Sequence, residues 1–102
     1  MKIEEVSYGK VNVQTLCRAF LSLQDEEECL HFLQDIMTVR EIQDMTQRLS
    51  VASLLQEGNG YSQIAEAISV SSATISRVNR ALNYGAGGYQ TVLKRLDEAK
   101  ES

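Results

Sequence analysis

Arginine and hydroxyl side chains recur at helical spacing in the C-terminal half of this 102-residue chain. On a helix over residues 72–83 they share one face with a small residue, in this order: Ser72 at the edge, then Ala73, Ser76, Arg77 and Arg80. Guanidinium and hydroxyl groups donate hydrogen bonds to phosphates and base edges, and small side chains allow close approach. The pattern predicts a surface suited to the major groove of double-stranded DNA.

The opposite face of the same segment is apolar and needs a partner. Ile75, Val78 and Leu82 fall at i, i+3 and i+7, which predicts one buried stripe. Ser71 or Ser72 can cap the N-terminus of this helix. The alternative interpretation is a buried helical hairpin whose polar face is only solvated.

Two short helices with a tight turn between them predict a helix-turn-helix over residues 61–83. The first helix, residues 62–68, has Ala65 where the two backbones must approach. Ser69 occupies the turn, where glycine would adopt an unusual backbone angle more easily, and Val70 is an apolar plug. The predicted DNA contacts are Ser62, Gln63, Ser71, Ser72, Ala73, Thr74, Ser76, Arg77 and Arg80.

Helical patterns extend over the rest of the chain as well. The predicted helices cover residues 12–23, 25–36 with an N-cap at Asp25, 38–58, 62–68, 72–83 and 89–100. No strand pattern longer than a few residues is found in the sequence. We therefore predict one all-α domain over residues 1–102, with six helices, a helix-turn-helix and a C-terminal helix over 89–100.

The N-terminal helices are apolar over more than one face, which requires partners on both sides. Residues 11–58 are therefore predicted to interlock with a second copy as dimerisation helices. We expect Cys17 and Cys29 to be buried free thiols, because their spacing suits neither a zinc site nor a Cys-x-x-Cys motif. The second helix is expected to bury its apolar side chains, namely Cys29, Leu30, Phe32, Leu33 and Ile36.

Motifs and composition argue against several classes of protein. No nucleophile–base–acid set, phosphate loop or metal-ligand spacing is present, so we predict no enzyme, no metal and no cofactor. The glycine-rich segment 85–88 lacks a preceding strand and a P-loop lysine, and we interpret it as a turn. Without a signal-peptide pattern or an apolar run of ~18–20 residues, we expect a cytoplasmic protein with no membrane segment.

The net charge of −4 is unevenly distributed along the chain. Residues 1–60 have five basic against ten acidic side chains, residues 61–95 four against one, and residues 96–102 one against three. Attraction to phosphates depends on local charge rather than on the average of the chain. Positive charge coincides with the predicted helix-turn-helix, which is compatible with DNA as the partner.

The order and spacing of several segments resemble the tryptophan repressor superfamily, including a shorter Trp repressor-like group. The resemblance covers roughly residues 30–96 and rests on Met37-Thr38-Val39-Arg40-Glu41, Arg48, Leu54-Leu55, Ser62-Gln63 and Ala73-Thr74-Ile75-Ser76-Arg77. It implies an all-helical, intertwined homodimer that presents two recognition helices to a palindromic operator. It also implies a sequence-specific transcriptional regulator, with repression as the expected action.

The resemblance is incomplete where the family binds tryptophan. Two arginines flank the indole ring in the family and a threonine lines the site; Arg48, Arg77 and Thr38 match these positions. However, Val78 replaces a glycine that leaves room for the ligand, and Ala81 replaces a serine that contacts the ligand amino group. We therefore predict that free tryptophan is not a corepressor.

Two other functions remain open from the sequence. A tryptophan-responsive repressor would use the candidate effector residues Thr38, Arg48 and Arg77. A protein-interaction module would keep the helix-turn-helix shape without a DNA role, and its acidic N-terminal half would be the active surface.

Overall fold

Six α-helices and a short N-terminal hairpin make up the computed structural model, which describes residues 1–101, with side chains up to residue 100. A 3-10 turn (Ile3–Glu5) comes first; the helices are α1 (Val13–Leu21), α2 (Glu26–Ile36), α3 (Val39–Gln56), α4 (Tyr61–Ile68), α5 (Ser72–Tyr84) and α6 (Gly88–Glu101). For the described residues, the predicted all-α class with six helices is confirmed.

A two-stranded hairpin that the sequence did not predict lies ahead of α1. Strands β1 (Ser7–Tyr8) and β2 (Val11–Asn12) pair antiparallel, with Tyr8 opposite Val11. Gly9 lies in the turn with φ of +63°. Strands of two residues are too short to show an alternating pattern, so periodicity could not reveal them.

Residues 1–39 form a compact unit of their own, and side-chain caps begin both of its helices. The Asn12 side chain accepts a hydrogen bond from the Thr15 N–H at 2.9 Å. The Asp25 carboxylate accepts one from the Glu28 N–H at 2.8 Å, which confirms the predicted cap of α2. Each cap satisfies a backbone donor that has no partner within its helix.

This N-terminal unit leaves its apolar side chains in contact with solvent. None of residues 1–39, all of them described, is classed as buried. The expected burial of Leu30 and Ile36 is therefore wrong within one chain, since they are 50% and 48% exposed. The two free thiols are not buried either, because Cys17 is exposed and Cys29 only half-buried. A unit of 39 residues is too small to enclose these side chains by itself.

From Arg40 onward the chain forms a second compact unit with a continuous apolar core. Helices α3, α4, α5 and α6 contribute to this core, whose buried members are Val51, Ala52, Ile64, Val70, Ile75, Val78, Leu82 and Leu93. The stripe predicted on α5 is confirmed. The assignments of residues 1–102 to one domain and of residues 11–58 to dimerisation stay predictions.

A tight connection between α5 and α6 sets the end of α5. The Gly85 N–H donates to the Ala81 carbonyl at 3.0 Å, and a Cβ at Gly85 would collide with that same carbonyl oxygen. The Gln90 side-chain amide donates to the Leu82 carbonyl at 2.8 Å. As a result, α5 includes Tyr84, one residue beyond the predicted end.

Candidate nucleic-acid interface

Helices α4 and α5 are joined by a three-residue turn with the predicted backbone geometry. Ser69 has φ 50° and ψ 56°, in the left-handed region, and its N–H donates to the Ala65 carbonyl at 3.1 Å. Val70 is only 8% exposed and fills the inside of the turn. The Ser71 hydroxyl accepts from the Thr74 N–H at 3.2 Å, so Ser71 rather than its neighbour caps α5.

The face of α5 opposite the core carries the arginine and hydroxyl side chains that were predicted from the sequence to contact DNA. Its exposed members are Ser72, Ala73, Ser76, Arg77 and Arg80. Among the side chains described, those of residues 1–100, neither arginine has an ion-pair or hydrogen-bond partner. Every guanidinium donor of this face is therefore available to an external acceptor.

Three of the predicted DNA contacts also hold the helix-turn-helix together. The Gln63 Oε1 atom accepts from the Gly60 N–H at 2.7 Å, at the start of α4. Ser71 caps α5, and its hydroxyl lies 3.1 Å from the half-buried Thr74 hydroxyl. The Gln63 side-chain amide still has free donors, and Ser62 beside it is exposed.

A cleft of about 420 Å³ lies on the outward face of α5, toward its C-terminal end. The residues that line it are Ser76, Arg77, Arg80, Ala81, Tyr84 and Gly85. The sequence did not identify Tyr84 as a site residue, although it stands four positions after Arg80 and so on the same helical face. The misplaced helix end explains the omission.

The candidate effector residues are exposed, and they lie in both units. Thr38 belongs to the N-terminal unit, whereas Arg48 and Arg77 belong to the C-terminal one. Arg48 does not line the cleft beside Arg77. Val78 is 2% exposed and belongs to the core, while Ala81 presents only a methyl group to the cleft. A pocket formed by these effector residues stays a prediction.

The part of the chain that the structure describes has neither a cluster of metal ligands nor a membrane-spanning helix. Among those residues, no group of three or more His, Cys, Asp and Glu side chains could hold a metal ion. Across the same residues, no helix is both long and apolar enough to cross a lipid bilayer.

Comparison with known proteins places this chain in a family. Residues 11–97 match the profile of the family described as Trp repressor protein. The chain belongs to the Trp repressor family. This membership confirms the resemblance seen in the sequence, and it makes the chain a helix-turn-helix regulator at the level of the family.

Relatives of this Trp repressor family member are similar over almost the whole chain. The uncharacterized protein YerC of Bacillus subtilis (strain 168) is 48% identical over 98% of this chain and 94% of its own length. A crystal structure of a TrpR-like protein from Eubacterium eligens is 48% identical, with a TM-score of 0.79 over 83% of this chain and 88% of that one. A candidate Trp repressor from Staphylococcus aureus is 39% identical, with a TM-score of 0.84 over 95% of both chains.

Proposed function

We propose that this protein is a sequence-specific DNA-binding transcriptional regulator that represses its targets and does not respond to tryptophan. The outward face of α5 is the observation that carries this proposal. It presents Ser76, Arg77 and Arg80 to solvent, while the opposite face of the same helix is packed into the core. A helix held in this way can enter the major groove, read base edges from its N-terminal half and contact phosphates through arginine.

A homodimer completes the proposed DNA-binding unit. The N-terminal unit exposes large apolar side chains, among them Leu16, Leu21, Leu30, Ile36 and Val39. Exposed apolar surface is typical of protein interaction sites, and a second copy of the same chain would bury it symmetrically. Two α5 helices related by a two-fold axis would read half-sites about 34–36 Å apart on a palindromic operator.

Independence from tryptophan rests on two residues of α5. The Val78 side chain fills core space, whereas the family has a glycine there that leaves room for the ligand. Ala81 lines the cleft without a hydroxyl that could accept a hydrogen bond from the amino group of an amino acid. The exposed Arg77 is then free to contact DNA rather than to flank an indole ring.

Mobility-shift titrations with promoter fragments from the source genome test the proposed function. The wild-type protein should shift a small subset of fragments saturably, with the same midpoints in the presence of L-tryptophan. Ser76→Ala and Arg80→Ala should weaken binding; for Arg80→Ala we expect about 1–3 kcal/mol, roughly 5- to 150-fold.

A matched variant distinguishes the loss of a DNA contact on the helix-turn-helix face from the general effect of removing one positive charge. Arg95→Ala removes an exposed arginine from α6, outside the motif, and should weaken binding much less than Arg80→Ala. Circular dichroism confirms that each variant is folded. Equal losses for the two arginine variants, or no shifted fragment at all, would contradict the proposed interface.

A further inference from the structure

Tyr84 is a large aromatic side chain left in solvent at the end of α5. It is 87% exposed, and within the described residues its hydroxyl has no hydrogen-bond partner. It lines the same cleft as Ser76 and Arg80, which precede it by eight and four positions on one helical face. Its apolar ring and its hydroxyl are therefore both accessible to a partner outside the chain.

The position of Tyr84 is set by a well-defined helix end. A side chain at Gly85 would collide with the Ala81 carbonyl, so the glycine allows the chain to turn immediately after Tyr84. One residue earlier, the Asn83 amide donates to the Asn79 carbonyl at 2.9 Å and anchors the last turn. The phenol ring therefore projects from a fixed backbone rather than from a loop.

The length of α5 indicates what the Tyr84 end would meet on DNA. From Ser72 to Tyr84 the helix rises by about 18 Å at ~1.5 Å per residue, whereas the major groove is about 12 Å wide. If α5 enters the groove end-on by its N-terminal half, its C-terminal end lies outside the groove, which is about 8.5 Å deep, beside the phosphates that border it. Contacts between DNA backbone and the C-terminal end of a recognition helix have precedent in other helix-turn-helix proteins.

The chemistry of this end also suits a phosphate. The C-terminus of a helix carries the negative end of its dipole and does not attract an anion by itself. A phosphate contact there needs side-chain donors, and the cleft supplies a guanidinium from Arg80 and a phenolic hydroxyl from Tyr84. Tyrosine hydroxyls are among the side-chain groups that donate to DNA phosphates.

We infer that Tyr84 is a further DNA-binding residue, which donates its phenolic hydrogen to a backbone phosphate beside the one that Arg80 contacts. This inference rests on the proposed DNA-binding function. Because a phosphate contact carries no direct sequence information, Tyr84 adds to affinity on specific and non-specific DNA alike.

The test compares wild type, Tyr84→Phe and Tyr84→Ala by fluorescence anisotropy. The probes are a mixed-sequence 30-base-pair duplex and the promoter fragment that the wild type binds most tightly. Tyr84→Phe keeps the ring and removes only the hydroxyl, so we expect roughly tenfold weaker binding to both probes. Tyr8→Phe is the matched control, because Tyr8 is 82% exposed in the N-terminal hairpin, and it should bind as wild type does.

The possible outcomes separate this inference from the proposed function. If wild type binds DNA and Tyr84→Phe binds equally well, the hydroxyl contact is refuted while DNA binding stands. Loss in Tyr84→Ala alone would assign the contact to the ring, and loss on the promoter fragment alone would assign it to a base; both overturn the phosphate contact. If wild type binds neither probe, the proposed function and the inference fail together. Unchanged thermal unfolding midpoints show that the fold is intact.

Discussion

At Val78, the packing of the core bears directly on the proposed independence from tryptophan. This chain has a valine at the position where the family has a glycine that leaves room for tryptophan. The Val78 side chain is 2% exposed and lies between Ile75 and Leu82 in the apolar stripe of α5. The burial could be predicted from the i, i+3, i+7 spacing. The capping role of Gln63 could not, because the same side-chain amide suits a DNA contact and a helix cap equally well.

Replacing Val78 by alanine should therefore destabilise the protein. Removing two buried methyl groups and leaving a cavity should lower the free energy of unfolding by about 2 kcal/mol. Ala81→Ser is the matched control on the exposed face of the same helix and should change it by less than about 0.5 kcal/mol. Urea denaturation measures both; equal stability of Val78→Ala and wild type would contradict the assignment of Val78 to the core.

Most of the secondary structure could be predicted from the sequence. Periodicity and capping residues located all six helices with small boundary errors, and Ser69 was identified as the turn residue despite not being glycine. The N-terminal hairpin was missed because each strand has two residues. The end of α5 differs from the prediction by one residue, and the helix ends at Gly85, the first residue of the glycine-rich segment predicted as a turn.

The end of α5 provides a prediction at the scale of the element. Gly85→Ala should force α5 and its link to α6 apart, because the added Cβ meets the Ala81 carbonyl. We expect a loss of about 1–3 kcal/mol in the free energy of unfolding, the range for overpacking a tight contact.

Gly88→Ala is the control for this prediction. A Cβ at Gly88 meets nothing within 4 Å, and the residue begins α6. Alanine there should be neutral or slightly stabilising, because it lowers the entropy of the unfolded chain. Thermal unfolding of the two variants gives the comparison, and a Gly85→Ala variant as stable as Gly88→Ala would contradict the steric account.

The two units of the molecule differ in burial. The N-terminal unit has no buried residue, whereas the C-terminal unit has a continuous apolar core. Within residues 1–39 the edge-on pair of Phe20 and Phe32, with ring centroids 5.1 Å apart, is the main aromatic contact described. The sequence predicted helices that are apolar on several faces, and their exposure in one chain agrees with that pattern. The sequence of a single chain does not identify the surface that packs against these helices.

A dimer held by the N-terminal unit should be visible in solution. Sedimentation equilibrium should give twice the monomer mass, and the thermal midpoint should rise with protein concentration. Leu21→Glu with Leu30→Glu should shift the protein toward monomer, since both side chains are at least half exposed in one chain. Gln34→Glu adds charge to an exposed polar position of α2 and should remain dimeric. A monomeric wild type at all concentrations would contradict the proposed assembly.

The salt dependence of DNA affinity tests the central claim most directly. The logarithm of the association constant for DNA should fall linearly with the logarithm of salt concentration, with a slope of about −0.9 per phosphate contact. Removing both arginines of the α5 face, by Arg77→Ala with Arg80→Ala, should reduce the magnitude of the slope by about 2 to 4 in a dimer. A double variant with the same affinity and the same slope as wild type would show that α5 does not face DNA.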